Sequence, residues 1–286
     1  MFRPLPGERD STVIKSSMGD GGSSSSFSLS LETRKNIGFL SQPMEFAVQA
    51  RNVSFRINRR VIFDDLEFSL AKGQALFIVG GSGSGKSLLL RICAGLIVPD
   101  TGRVTLGGID LQAAAKKEVQ ELRARIGFVF QDSALISNMA IYDNIALPLR
   151  YHKKCAEKEV QARVEEKMGL FGVDRTVDWS IPAMLSLEMR KRAALARAFI
   201  LDPEYLFLDQ PTSGLETDTA YSLNQIISDY QRRTGTSLLE VGSEYSLSGG
   251  YADRIGVLEG GRITAEGTVE EMQSFLEREN RPGKAP

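Results

Sequence analysis

"GGSGSGKSLLLRICAGL", residues 80–96, opens with Gly80-x4-Gly85-Lys86-Ser87 and passes into an apolar pattern with helical spacing. Before it stands "ALFIVG", residues 75–80, apolar without alternation, as expected of a strand buried on both faces. A glycine-rich turn between a strand and a helix is a phosphate loop in its proper setting. In such a loop the backbone N–H groups of Gly80, Gly81, Ser82, Gly83, Ser84 and Gly85 converge on α- and β-phosphates, and the positive end of the helix dipole lies behind them. Lys86 then reaches the β- and γ-oxygens, and the Ser87 hydroxyl ligates magnesium. The stretch therefore predicts an α/β P-loop NTPase fold.

Working outward, "FAVQARNVSFRI" (46–57) and "VIFDDLEFSLAKG" (61–73) alternate as strands do. Downstream, "RARIGFVFQ" (123–131) places Gln131 at the end of an apolar strand, and "YLFLD" (205–209) ends in Asp209, a second candidate magnesium contact. The segment "SALISNMAIYDNIALPL" (133–149) reads as an exposed apolar loop. Lys plus Arg number 35 against 36 Asp plus Glu, so no overall field recruits nucleic acid or an anionic membrane. A length of 286 residues with 42% hydrophobic content suits one sizeable domain, or one with a subdomain. No apolar run approaches the roughly 18 residues of a membrane span. Cys93 and Cys155 lack metal-type spacing and are expected to be packing residues in a reducing cytoplasm. Residues 1–44 are Ser/Gly-rich and read as a flexible tail ahead of a domain at 45–286. Glu8, Asp10, Asp20 and Glu32 argue against a transit peptide there, and Met44 offers an alternative start.

The order of these features resembles the nucleotide-binding subunit of ABC transporters over residues 46–280. It runs from the P-loop and the strand-ending Gln131 through "LSLEMRKRAALARAFILDPEYLFLD" (185–209) to "PTSGLE" (211–216) and "YADRIGVLEGGRITAEGT" (251–268). Within that family "FQDSALISNMAIYDNIALPLR" (130–150) is similar to the ATPase of Mce-type systems, which move phospholipids between bacterial membranes. The resemblance implies a RecA-like parallel core, a small antiparallel β-subdomain near 46–75 and 103–111, and a helical subdomain at about 132–195 bearing the signature. It also implies a closing helix, "VEEMQSFLEREN" (269–280). Gln131 would sense magnesium and nucleotide, Asp209 would be the Walker B aspartate, and Ser87, Gln131 and Asp209 would form the metal set. The implied cofactors are ATP and Mg2+, with ATP held between two subunits of a homo- or heterodimer. Integral membrane permease subunits would dock at the cytoplasmic face of the inner membrane, around Gln131, with Leu135 and Ile141 among the docking residues. Nucleic acid is not an implied partner.

Four places depart from the family pattern. Gln210 stands where a glutamate polarises the attacking water, and an amide takes no proton at neutral pH. Losing a general base costs about 10²–10⁴ in rate. Ser243, in "VGSEYS", replaces the switch histidine, and the chain's one histidine, His152, reads as a surface residue. The signature is Leu185-Ser186-Leu187-Glu188-Met189, with side chains where glycines admit the opposite subunit's nucleotide and with a negative charge at Glu188. Ile57 falls at the adenine position, where an aromatic would stack. These departures imply a degenerate subunit that binds Mg-ATP with impaired hydrolysis. Three alternatives stand beside that reading: an engineered Glu-to-Gln trap at Gln210, a non-enzymatic ATP-sensing scaffold, and a soluble ABC protein of cluster assembly or nucleic-acid repair.

Overall fold

The computed structural model describes residues 45–152, 155–243 and 250–272. The Ser/Gly-rich segment 1–44 and most of the expected closing helix lie outside those residues. In chain order the elements are β1 (Phe46–Ile57), β2 (Arg60–Ala71), β3 (Ala75–Val79), α1 (Lys86–Cys93), β4 (Thr101–Leu106), β5 (Ile109–Asp110), α2 (Lys116–Arg123) and β6 (Ile126–Val129). They continue with α3 (Ile141–His152), α4 (Glu157–Phe171), α5 (Leu187–Phe199), β7 (Tyr205–Asp209), α6 (Thr217–Thr234), β8 (Ser237–Gly242), β9 (Arg254–Glu259) and β10 (Arg262–Thr268).

Two sheets result. Strands β2-β1-β4-β5 form an antiparallel sheet, and β10-β9-β3-β8-β7-β6 form a second sheet in which only the β10 edge runs antiparallel. The continuous apolar runs of β3, β7 and β8 are explained by layers on both faces. On one face Leu206, Leu208 and Leu238 pack with residues of α3 to α6. On the other, Phe207, Leu239 and Val241 pack with α1 and the antiparallel sheet. Phe171, Phe199 and Tyr230 interlock edge-on, with centroids 4.9 and 4.7 Å apart, and so join α4, α5 and α6.

The carboxyl ends of the parallel strands converge. The turn after β3 carries the P-loop, β7 ends in Asp209, and Gln131 and Ser243 follow β6 and β8. Ligands of open α/β sheets bind in the crevice outside these strand ends.

The expectation of an exposed apolar loop at 133–149 is corrected. Ile141, Ile145, Ala146 and Leu149 are buried, and Leu135 is half-buried against the same core. Residues 141, 145 and 149 repeat every four positions, so once α3 forms they share its inner face. The preceding turn is fixed by buried Asn144, whose Oδ1 accepts from Ile136 N at 2.7 Å while its amide donates to the Ile136, Met139 and Ala140 carbonyls at 3.0–3.2 Å. Ile136 stays 37% exposed, and half-buried Tyr142 stacks its ring at 6.0 Å on Trp179, itself 78% exposed.

Candidate nucleotide site

Two glycines of the loop are required sterically. A Cβ on Gly80 would stand 2.6 Å from the Leu258 carbonyl oxygen. Gly85 has φ +98° and would put a Cβ 2.9 Å from Ile62 and 3.1 Å from the Phe63 ring. The loop can therefore lie tight between β2 and β9. Lys86 is buried and donates to the Gly80 and Gly81 carbonyls at 2.7 and 2.8 Å. Burial lowers its pKa, and Asp209 opposes that shift.

Ser87 and Asp209, 122 residues apart, are brought together by the α1 and β7 packing, with Ser87 Oγ donating to Asp209 Oδ1 at 3.0 Å. Asp209 is fully buried, and its Oδ2 has no hydrogen-bond partner among the described residues. Burial raises its pKa, against the bond from Ser87 and the charges of Arg91, Lys86 and Lys191. A buried carboxylate oxygen with an open valence beside a hydroxyl is a donor set suited to a hard divalent cation.

Gln131 and Gln210 face each other, Nε2 to Oε1, at 3.5 Å. No hydrogen bond joins Gln131 to Ser87 or Asp209 among the described residues. The Gln210 backbone is left-handed, φ +49°, with its N–H on the Val241 carbonyl at 3.0 Å. Ser243 is exposed just past β8. Ser186 caps α5, its Oγ accepting from Met189 N at 3.1 Å. Leu187 is 41% exposed at the helix start. Glu188 pairs with Arg192 at 2.8 Å, so part of its charge is matched along the helix rather than directed past its end. Ile57 is exposed at the β1–β2 hairpin tip opposite Arg60, and Phe55 packs against the core. Cys93 is buried as a packing residue, its thiol pushed far up in pKa by burial.

An open cleft of about 510 Å³ lies between these parts, lined by Arg91, Gln131, Asp132, Leu187, Lys191, Ser213 and Gly214. Two buried charged residues in this region escaped the sequence reading. Lys191 sits four residues before Leu195, on the buried face of α5. Glu240 interrupts the apolar run of β8.

A phosphate loop and a buried carboxylate at the carboxyl edge of a parallel sheet define a P-loop nucleotide-binding domain. Residues 63–213 match the family model for ABC transporters. The chain is 34% identical over 216 residues to the probable ribonucleotide transport ATP-binding protein mkl of Mycobacterium leprae, covering 76% of this chain and 62% of that protein. Its identity to the methionine import ATP-binding protein MetN of Rhizobium johnstonii is 34% over 225 residues, covering 79% and 62%. Against the intermembrane phospholipid transport system ATP-binding protein MlaF of Escherichia coli K12 the identity is 32% over 235 residues, covering 82% and 87%. The chain thus spans about three fifths of the length of the mkl and MetN relatives. Among solved structures, the dimeric post-hydrolysis ATP-binding cassette MJ0796 bound to ADP and Pi superposes with a TM-score of 0.73 at 26% identity, over 78% of this chain and 98% of that one. The chain belongs to the ABC transporter family, as an ATP-binding domain of it.

Proposed function

We propose that this chain is the nucleotide-binding subunit of a membrane lipid transporter that holds Mg-ATP and hydrolyses it slowly. The carrying observation is the contrast within one site: a complete phosphate cradle with Lys86, Ser87 and Asp209 in contact order, ending in the amide of Gln210. Loop N–H groups and Lys86 would bind the phosphates, and Ser87 and Asp209, with Gln131 at the mouth, would hold magnesium. Magnesium bound there would supply neutralisation of the phosphate charge. Gln210 can orient a water molecule but cannot accept its proton, and exposed Ser243 offers a hydroxyl without a titratable charge near pH 7.

Lipid as substrate is supported by the 32% identity to MlaF, an intermembrane phospholipid transport system ATP-binding protein, over 82% of this chain. The chain would sit peripherally at the cytoplasmic face of the inner membrane, beside permease subunits and a second nucleotide-binding subunit. No helix among the described residues is long and apolar enough to cross a membrane. The Ile136, Tyr142 and Trp179 surface gives an apolar place for a membrane-subunit helix to rest.

Calorimetry with Mg-ATP on the intact chain and on Lys86→Ala tests the site. The intact chain should bind, and the variant should lose most of the affinity. Equal affinities would remove the assignment, and brisk Lys86-dependent phosphate release would show that another base serves.

A further inference from the structure

The buried amine of Lys191 meets three acceptors from two separate loops. It donates to the Gln210 carbonyl at 2.9 Å, to Ser213 Oγ at 3.2 Å and to the Gln131 carbonyl at 3.3 Å. Ser213 closes the ring by donating from its Oγ and its N–H to the same Gln210 carbonyl, at 3.1 and 3.2 Å. Lys191 is only 2% exposed, and burial lowers its pKa against the opposing charges of Asp209 and Asp132. The start of α5 leans on the same turn. Gly214 has φ +76°, and a Cβ there would stand 3.1 Å from Leu187 Cδ2.

We propose that Lys191 is a positioning residue that fixes Gln131 and Gln210 relative to one another from the signature helix, and so sets the preference of the site for ATP over ADP. Gln210 adopts a left-handed backbone that a non-glycine side chain disfavours, and such geometry persists only where its surroundings hold it. Three bonds on its carbonyl supply that hold, and the Lys191 bond is the one that reaches from another element. The same amine ties down Gln131, 60 residues away, whose side chain meets that of Gln210. The P-loop N–H groups would cradle the β-phosphate of either nucleotide. A third phosphate extends beyond Lys86 toward the ends of β6 and β7, where these two amides stand. Releasing them therefore weakens ATP and leaves ADP almost unaffected. This inference rests on the Mg-ATP reading above.

The test is calorimetry of the full chain with Mg-ATP and Mg-ADP in Lys191→Met, which keeps the apolar stem and removes the donors, and in Lys191→Arg, which keeps a cation with several donors. Thermal melting of each variant reports folding. Lys191→Met should weaken ATP about tenfold with ADP changed less than about twofold, and Lys191→Arg should return ATP to within about threefold of the parent. ATP and ADP falling together, neither changing, or the Met and Arg variants behaving alike would overturn the proposal. If Lys191→Met does not fold, Ser213→Ala carries the same test by removing one member of the ring, with about a threefold loss expected for ATP only. Lys86→Ala separates the two levels: undiminished ATP affinity in that variant refutes the nucleotide site itself, and its loss leaves the Lys191 result to stand alone.

Discussion

Gln210 and Glu240 show how a single residue sets chemistry here. The Gln210 carbonyl is held by Ser213 and Lys191, so Gln210→Glu inherits the same left-handed backbone and is expected to fold normally. Steady-state phosphate release should nevertheless rise little, because Ser243 and the Leu187–Glu188 signature stay altered. Adding Ser243→His, Leu187→Gly and Glu188→Gly should raise it by more than the sum of the separate changes, as for groups that act as one catalytic unit. Glu240 is 4% exposed in the middle of β8, with Oε2 lacking a hydrogen-bond partner among the described residues, and burial raises its pKa well above the ordinary 4.5. The folded chain thus keeps a proton that the unfolded chain releases above about pH 4.5, and stability falls as pH rises from there toward the raised value. Glu240→Val should stabilise by about 1–3 kcal/mol at pH 8 and by less at pH 5. Urea denaturation at the two pH values checks it, and a gain independent of pH would refute the ionisation account.

At the scale of elements, α3 separates packing from docking. Ile141 points into the core shared by α3, α4 and α5, whereas Trp179 lies outside, against Tyr142. A charge at Ile141 is buried without a partner, so Ile141→Glu should cost about 3 kcal/mol or more and lower the melting temperature together with ATP binding. Trp179→Glu should leave both nearly unchanged and release the chain from the proposed membrane subunit, as read by co-purification in gentle detergent. Retention of the partner by Trp179→Glu would place the docking surface elsewhere. The β strands of this region were legible from alternation and apolar runs. The inward turn of Ile141 was not, because "SALISNMAIYDNIALPL" is apolar on both sides of the loop-to-helix boundary. Only the start of α3 fixes which residues share a face.

For the whole molecule, the proposed slow hydrolysis bears on how the ATP-binding domain assembles. If ATP lies between two subunits, the Leu187 side chain at the start of α5 stands where the opposite nucleotide must approach. A homodimer then holds two impaired sites, and a heterodimer partner can contribute its own base while facing the Leu187–Glu188 signature. ATP-dependent dimerisation should therefore be weak, and Leu187→Gly should strengthen it by about tenfold, since relieving an overpacked contact is worth roughly 1–3 kcal/mol. Sedimentation velocity with Mg-ATP measures this. An unchanged dimer constant would show that Leu187 does not obstruct the opposite nucleotide.

The sequence by itself determined the P-loop, the buried strands around it, the strand-ending Asp209 and the amide at Gln210. Each of these is written in a few neighbouring residues, as glycine turn chemistry or as a hydrophobic period of 2 or 3.6. Tertiary structure alone decided that Ser87 meets Asp209, that Gln131 meets Gln210, and that Lys191 spans both loops from inside α5. Those partners lie 19 to 122 residues apart along the chain. Local pattern carries no information about which distant side chains the packing of helices on a sheet will bring within hydrogen-bond reach, and a lysine on a helix reads as solvent-facing until the layer above it is in place.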